Sequence, residues 1–512
     1  MTRAQRRRGT GRRIAGAIQQ LPWRDVENHF PPMDVLRPEH VELIHESSLR
    51  ILEEFGVEMM NAEARSILEQ AGAEVDHATG VVRLDRGLVE RQVALAPSSF
   101  TLTPRNPERA IVLGGEHINF TLVAGPPSVH DCERGRRAGN YRDYCDLVRL
   151  AQSLNIIHLI GNQPTAPQEM PAASRHLDTY LANLTLTDRV FHCTAIGEQR
   201  ALDGIRMMAL ARGIGLDAIA DSPGVLTVIN VNSPRRFDDA LTQGLITMAR
   251  HGQAVVVTPF TLMGAMTPVT LPAALAQQNA EALAGIALTQ LVRPGAPVVY
   301  GSFTSNVDMR TGAPAFGTPE NAKANLAGGQ MARRYGLPYR TSNANASNVV
   351  DAQAAYETEM ALWGAVMGRA NLVYHAAGWL EGGLTASFEK VILDAELLQS
   401  MAETLVPVEV SDDTLALETI RDVAPGGHFF GTGHTMERFE TAFYRPLLSD
   451  WQNHDAWEAA GAKDATQRAT EIWKRLLAEY EEPLMDPAIR EGLDDYVGRR
   501  REQIEREGLG SE

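Results

Sequence analysis

The segment "AVVVTPF", residues 254–260, opens with an unbroken apolar run and closes on Thr258, Pro259 and Phe260. A strand with one solvated face alternates apolar and polar residues, whereas a strand covered on both faces is apolar throughout. Working outward, the same form recurs in "GVLTVINVN" (224–232) before it and "PVVYGS" (297–302) after it. It recurs further off in "INFTLVAG" (118–125), "NIIHLIGN" (155–162), "RVFHCT" (189–194), "LPYRTSN" (337–343) and "NLVYHAAG" (371–378). The runs come at intervals of about 30 to 40 residues, the length of one strand–helix unit. Each ends near Gly, Asn, Ser or Pro and leads into a helical stretch. Eight such units in succession predict an α/β fold, a (β/α)8 TIM barrel over residues 116–405, rather than an open doubly wound sheet.

The flanks read differently. "MTRAQRRRGTGRR" begins a basic tail, residues 1–34, expected to be disordered at its start. Residues 35–115 predict a small α+β cap. In "RPEHVELIHESSLRILEEFGVEM" the apolar positions Val41, Ile44, Leu49, Leu52 and Phe55 fall at helical spacing, and Gly56 supplies a stop. Beyond the eighth run, "SFEKVILDAELLQSMAETL" predicts a strong helix. Residues 406–512 predict a helical extension, with an amphipathic "DATQRATEIWKRLLAEYEEP" and a charged tail.

The 512 residues are 44% hydrophobic and carry a formal net charge of -16. That acidity argues against nucleic acid or an anionic membrane as partner. No apolar run approaches the roughly 18 residues of a membrane span. Three cysteines without paired spacing point to a reducing, cytoplasmic compartment.

In a barrel of this kind the chemistry gathers where the strands end. Those ends are rich in amides and aromatics and poor in Lys and Arg, which disfavours phosphorylated substrates. No HExxH, HxH or paired-cysteine motif marks a metal site, and no metal is expected. Adjacent His192 and Cys193 face opposite sides of their strand. No GxSxG nucleophile is present, and no lysine ends any run, which counts against Schiff-base chemistry.

What remains is aromatic and acidic. "YHAAGWLEGGLTASFEK" (374–390) sets a His, a Trp, two Glu and three Gly between the eighth run and its helix. A quaternary ammonium offers no N–H and is recognised by aromatic faces. Tyr374, Trp379 and Phe388, with Tyr356, Phe260 and Phe303 on other segments, are the candidate faces. The competing reading makes each of them core.

The chain resembles the trimethylamine methyltransferase family from about residue 35 to 490. The resemblance rests on "RPEHVELIHESSLRILEEFGVEM" (37–59), "SNVVDAQAAYE" (347–357), "YHAAGWLEGGLTASFEKVILDAE" (374–396), "GGHFFGTGHTMERFETAFYRPLLSD" (426–450) and "WEAAGAKDATQRATEIWKRLLAEYEEP" (457–483). It implies transfer of an amine methyl group to the Co(I) of a corrinoid carried by a separate protein, with no cofactor held tightly by this chain. Founding members carry pyrrolysine, and every letter here is a standard residue. The chain is thereby similar to non-pyrrolysine members acting on glycine betaine or a related betaine. Under this resemblance His375 belongs to the reaction site, and Glu381 and Glu389 balance the substrate cation. Asn345 and Arg340 bind a carboxylate. Gly382, Gly383 and His434 face the corrinoid or its protein. A homo-oligomer is also compatible. Two alternatives stand beside this reading: a metal-assisted or Schiff-base lyase or aldolase, and a betaine-binding protein without turnover.

Overall fold

The structure, a computed structural model, describes residues 18–507. The start of the basic tail and the last five residues lie outside the described residues. All eight apolar runs form strands: β1 (His117–Leu122), β2 (Leu159–Ile160), β3 (Val190–Phe191), β4 (Leu226–Val231), β5 (Ala254–Met263), β6 (Val298–Gly301), β7 (Tyr339–Ser342) and β8 (Leu372–Ala377). β1 pairs with β2, β2 with β3, β4 with β5, β5 with β6, β6 with β7 and β7 with β8, each in parallel. β8 also lies parallel to β1. A parallel bridge joins His192 to Leu226, where the Cys193 amide donates to the Leu226 carbonyl at 2.8 Å. Residues of β8 are buried from end to end, as the lack of alternation requires.

Helices separate the strands: α1 (Tyr141–Ser153), α2 (Arg175–Leu186), α3 (Glu198–Ala211), α4 (Asp239–Arg250), α5 (Leu271–Val292), α6 (Pro319–Arg334), α7 (Ala352–Met367) and α8 (Phe388–Thr404). The class is α/β. α5 is apolar around most of its circumference, and its buried positions run from Ala274 to Gln290. Such a helix needs cover on both sides. β5 packs on one side, and the helices Pro38–Arg50 and Arg86–Val93 pack on the other. Ser48 ties the cover down, donating to the Ala276 carbonyl at 2.9 Å and accepting from Asn279 at 2.9 Å.

The N-terminal helix stops at Gly56, whose φ of 69° suits glycine. Its last turn, Ile51–Phe55, is π-helical, and Phe55 is 56% exposed instead of core. The wider turn carries Phe55 off the buried stripe, where Arg235 lies 5.8 Å from its ring. At the other end, α9 (Ala465–Ala478) starts with a capping box between Asp464 and Gln467. It buries Ala469, Trp473 and Leu476, packing against α8 and α1. No helix among the described residues is long and apolar enough to cross a membrane.

Two features shape the C-terminal ends of the parallel strands. The connection after β8 forms a hairpin, Trp379–Leu380 with Thr385–Ser387, which pairs with Ser128–Asp131 from the connection after β1. α4 reaches the end of β3 through Gly244. A Cβ there would lie 1.8 Å from the Ala195 carbonyl oxygen, a backbone atom with no rotamer to swing away. Gly244→Ala is therefore expected to destabilise the fold by about 1–3 kcal/mol, read as a lower urea midpoint. An unchanged midpoint would show that α4 is free to shift outward.

Candidate active site

Near its C-terminal end, β8 breaks its ladder. Its register against β1 shifts between Val373 and Ala377, and His375 takes a φ of 55°. In a regular strand Tyr374 and His375 would face opposite sides. The bulge turns both toward one cavity of about 660 Å³. That cavity lies at the C-terminal ends of the parallel strands. Asn162 follows β2, His192 and Thr194 follow β3, Asn230 belongs to β4, Phe260 to β5 and Arg340 to β7.

One wall is aromatic. The Phe303 ring lies 5.0 Å from Phe260, 5.4 Å from Phe316, 6.1 Å from His375 and 6.1 Å from Trp379. His375 and Trp379 are closest, with centroids 4.3 Å apart. Trp379 donates its Nε1–H to the Asn345 carbonyl at 3.1 Å. A Cβ on Gly383 would stand 2.6 Å from the indole, so the bare glycine lets the loop close over the ring. Behind the loop, Asp394 accepts from the Gly378 amide at 2.8 Å and is paired with buried Lys390. Lys390 also donates to Thr358 at 2.7 Å, and Thr358 accepts from the Asn345 side chain at 3.2 Å. The indole is thus fastened through its own N–H and through the backbone before it.

The charge is singular. No Asp, Glu or Lys lines the cavity among the described residues, and Arg340 is its one formal charge. Arg340 is 2% exposed. Its guanidinium lies 4.9 Å from the Tyr374 ring and 5.4 Å from Phe303. Nε and Nη1 are buried without a hydrogen-bond partner. Burial lowers its pKa to about 10, which leaves it cationic at neutral pH. Both histidines are neutral. Burial, then Arg340, brings His192 down to about 3, and burial, Arg340 and His192 hold His375 well below its usual value. The Ala124 amide donates to His375 Nδ1 at 3.2 Å, which leaves Nε2 as the ring's N–H.

Of the residues singled out in the sequence, His375, Trp379, Tyr374, Phe260, Phe303, Arg340 and Gly383 meet at this cavity. The others lie elsewhere. Glu381 forms an ion pair with Arg136 at 2.9 Å, so its charge is already matched. Glu389 is buried under α9, where Oε1 accepts from Cys132 N at 3.2 Å, Thr470 at 3.0 Å and Trp473 Nε1 at 2.9 Å. Phe388 packs on Trp473, with centroids 4.9 Å apart. Tyr356 stands 61% exposed on α7. Asn345 acts from behind the indole, through its carbonyl. Gly382 donates its amide to that carbonyl at 3.2 Å and is not a cavity residue. His434 sits on the short helix Gly433–Arg438, away from the cavity lining. His192 and Phe316 were not among the chosen residues. His192 does face away from Cys193, which points back to the Tyr180 hydroxyl at 3.3 Å.

A neutral buried histidine whose unfolded pKa is about 6.5 contributes its full stability above that pH. As the pH falls from there toward the folded value, about 1.4 kcal/mol is lost per unit per histidine. The urea midpoint is expected to drop between pH 7 and pH 5, and less steeply in His192→Gln. Parallel slopes would show that His192 is protonated in the fold.

The family model described as "Trimethylamine methyltransferase (MTTB)" matches residues 2–505. The glycine betaine methyltransferase of Desulfitobacterium hafniense (strain Y51) is 35% identical over 476 residues, 93% of this chain and 98% of that protein. The trimethylamine methyltransferase MttB of D. hafniense (strain DSM 10664 / DCB-2) is 32% identical over 477 residues, 91% of this chain and 95% of that protein. A solved structure, the hydroxylamine MtmB complex, aligns with a TM-score of 0.47 at 10% identity, over 90% of this chain and 92% of that one. Matched over nearly its whole length, the chain belongs to the trimethylamine methyltransferase family of methyl-transferring enzymes.

Proposed function

We propose that the chain takes a methyl group from a quaternary ammonium that also carries a carboxylate, glycine betaine or a close relative. The acceptor is a corrinoid borne by a partner protein. The observation that carries this reading is a cavity with an aromatic wall and one guanidinium that, among the described residues, is unpaired and has no carboxylate beside it in the lining. A simple methylammonium would bring a second positive charge beside buried Arg340, with nothing to offset it. A betaine brings its own anion. Its trimethylammonium head needs no hydrogen-bond acceptor and suits Trp379, Phe303 and Phe260. The 35% identical relative bears the name glycine betaine methyltransferase, which supports the same choice.

The chemistry asks little acid–base work of the chain. The breaking C–N bond leaves its electron pair on nitrogen, and the departing tertiary amine is neutral. No general acid is needed there, in keeping with neutral His375 and a wall without carboxylates. The chain orients the head, excludes water around it and holds the anion. A Co(I) corrinoid supplies the nucleophile that accepts the methyl carbon. We infer further that the eight strands close as a (β/α)8 barrel over 116–405, capped by 35–115 and extended by 406–512. The parallel pairing of β8 with β1, and the single parallel bridge from His192 to β4, support this.

Mixing the protein with a Co(I) corrinoid and a panel of methylated amines tests the function. Loss of the Co(I) spectrum is expected with a betaine and not with trimethylamine. Turnover of trimethylamine alone, or of nothing, would overturn the reading. Trp379→Ala is expected to weaken glycine betaine about tenfold more than its uncharged-head isostere 3,3-dimethylbutanoate, by titration calorimetry. Equal losses would make Trp379 a packing residue.

A further inference from the structure

The polar end of the cavity fixes the direction of each of its hydrogen bonds. His192 Nε2 accepts from the Val228 amide at 3.2 Å. A neutral imidazole has a single N–H, so the proton sits on Nδ1. Nδ1 is hydrogen-bonded to the Tyr374 hydroxyl, which is therefore the acceptor. With its oxygen accepting from His192, the phenol keeps its own proton to give. No acceptor among the described residues takes it.

Arg340 stacks on that same ring at 4.9 Å, and its guanidinium makes no hydrogen bond or ion pair among the described residues. Tyr374 and Arg340 are each 2% exposed, and both line the cavity. A buried charge with no partner is costly, and so is a buried donor with none. Together they offer one O–H and a planar set of N–H groups with no protein acceptor. That is a receptor for an anion with two oxygens.

We propose that Tyr374 is a specificity-determining residue: its hydroxyl, held by His192, donates to one carboxylate oxygen of the substrate while Arg340 takes the charge. The inference rests on the betaine reading and adds its selecting group. Tyr374 contacts substrate through its hydroxyl rather than its ring face. His192 is a positioning residue that keeps the phenol proton aimed away from itself. The pair discriminates against quaternary amines that end in an uncharged group.

The test uses the full chain, with glycine betaine and choline as ligands, the second lacking a carboxylate. Wild type is expected to prefer glycine betaine. Tyr374→Phe is expected to lose about ten- to a hundredfold in glycine betaine affinity with choline nearly unchanged, since a hydrogen bond to a charged group is removed. His192→Leu is expected to shift the ratio the same way. His192→Asn, whose amide can still donate near the Nδ1 position, is expected to restore much of it. Glycine betaine binding unchanged in Tyr374→Phe, or both ligands falling by one factor in Tyr374→Phe and His192→Leu, would overturn this inference and leave the betaine reading standing. Wild type binding neither ligand would overturn both.

Discussion

A guanidinium held out of water, with no carboxylate beside it among the described residues, shapes the polar half of the cavity. Removing such a charge from solvent costs several kcal/mol in a relaxed protein, and a pairing anion ordinarily offsets this. Here the Tyr374 and Phe303 rings face Arg340, and no carboxylate pairs with it among the described residues. Its field keeps His192 and His375 neutral, second only to their burial. Neutral imidazoles in turn accept backbone N–H groups at fixed nitrogens, which settles the tautomers. Burial and the one buried charge act together to keep the rings neutral and the proton directions fixed.

The aromatic half of the site depends on backbone geometry. A bulge at His375 breaks the alternation of β8 and puts neighbouring side chains on one cavity. The next turn carries Trp379, which has little freedom left. Asn345 takes its N–H, Gly383 lets the chain close over it, and the buried Lys390–Asp394 pair holds the amide of Gly378. That pair is a structural anchor. Burial lowers the lysine's pKa and raises the aspartate's, opposed by their mutual attraction. A ring meant to meet a cation gains from being rigid, since ordering it on binding would subtract from affinity.

Legibility in the sequence followed the range of the interaction. The eight strands were legible because two-sided burial leaves an unbroken apolar run, as in "AVVVTPF". Gly56 and the helix starting at Phe388 were legible because stop signals and helical spacing are local. Trp379 stood out because a tryptophan among glycines in a loop has no obvious core to fill. Glu381 and Glu389 were misplaced for the opposite reason. Their partners, Arg136 and Trp473, lie far away in sequence, and composition does not reveal which carboxylates are already matched. Phe388 was drawn from the site by the same tryptophan. Phe55 left its stripe because one π-helical turn changed the period.

By itself, the sequence determined the α/β class, the order of its strands, the family, and the residue types near the strand ends. These rest on periodicity and on local motifs, which survive in one dimension. Only the tertiary structure decided which charges stay unpaired. Arg340 was a candidate carboxylate binder through the family resemblance, but its neighbours in sequence did not mark it as unpaired, and Tyr374 read as one aromatic among several. Packing eight strands side by side buried the first without an anion and set the second between His192 and the cavity. Desolvation and hydrogen-bond direction depend on what surrounds an atom in space, so they exist only once the chain has folded.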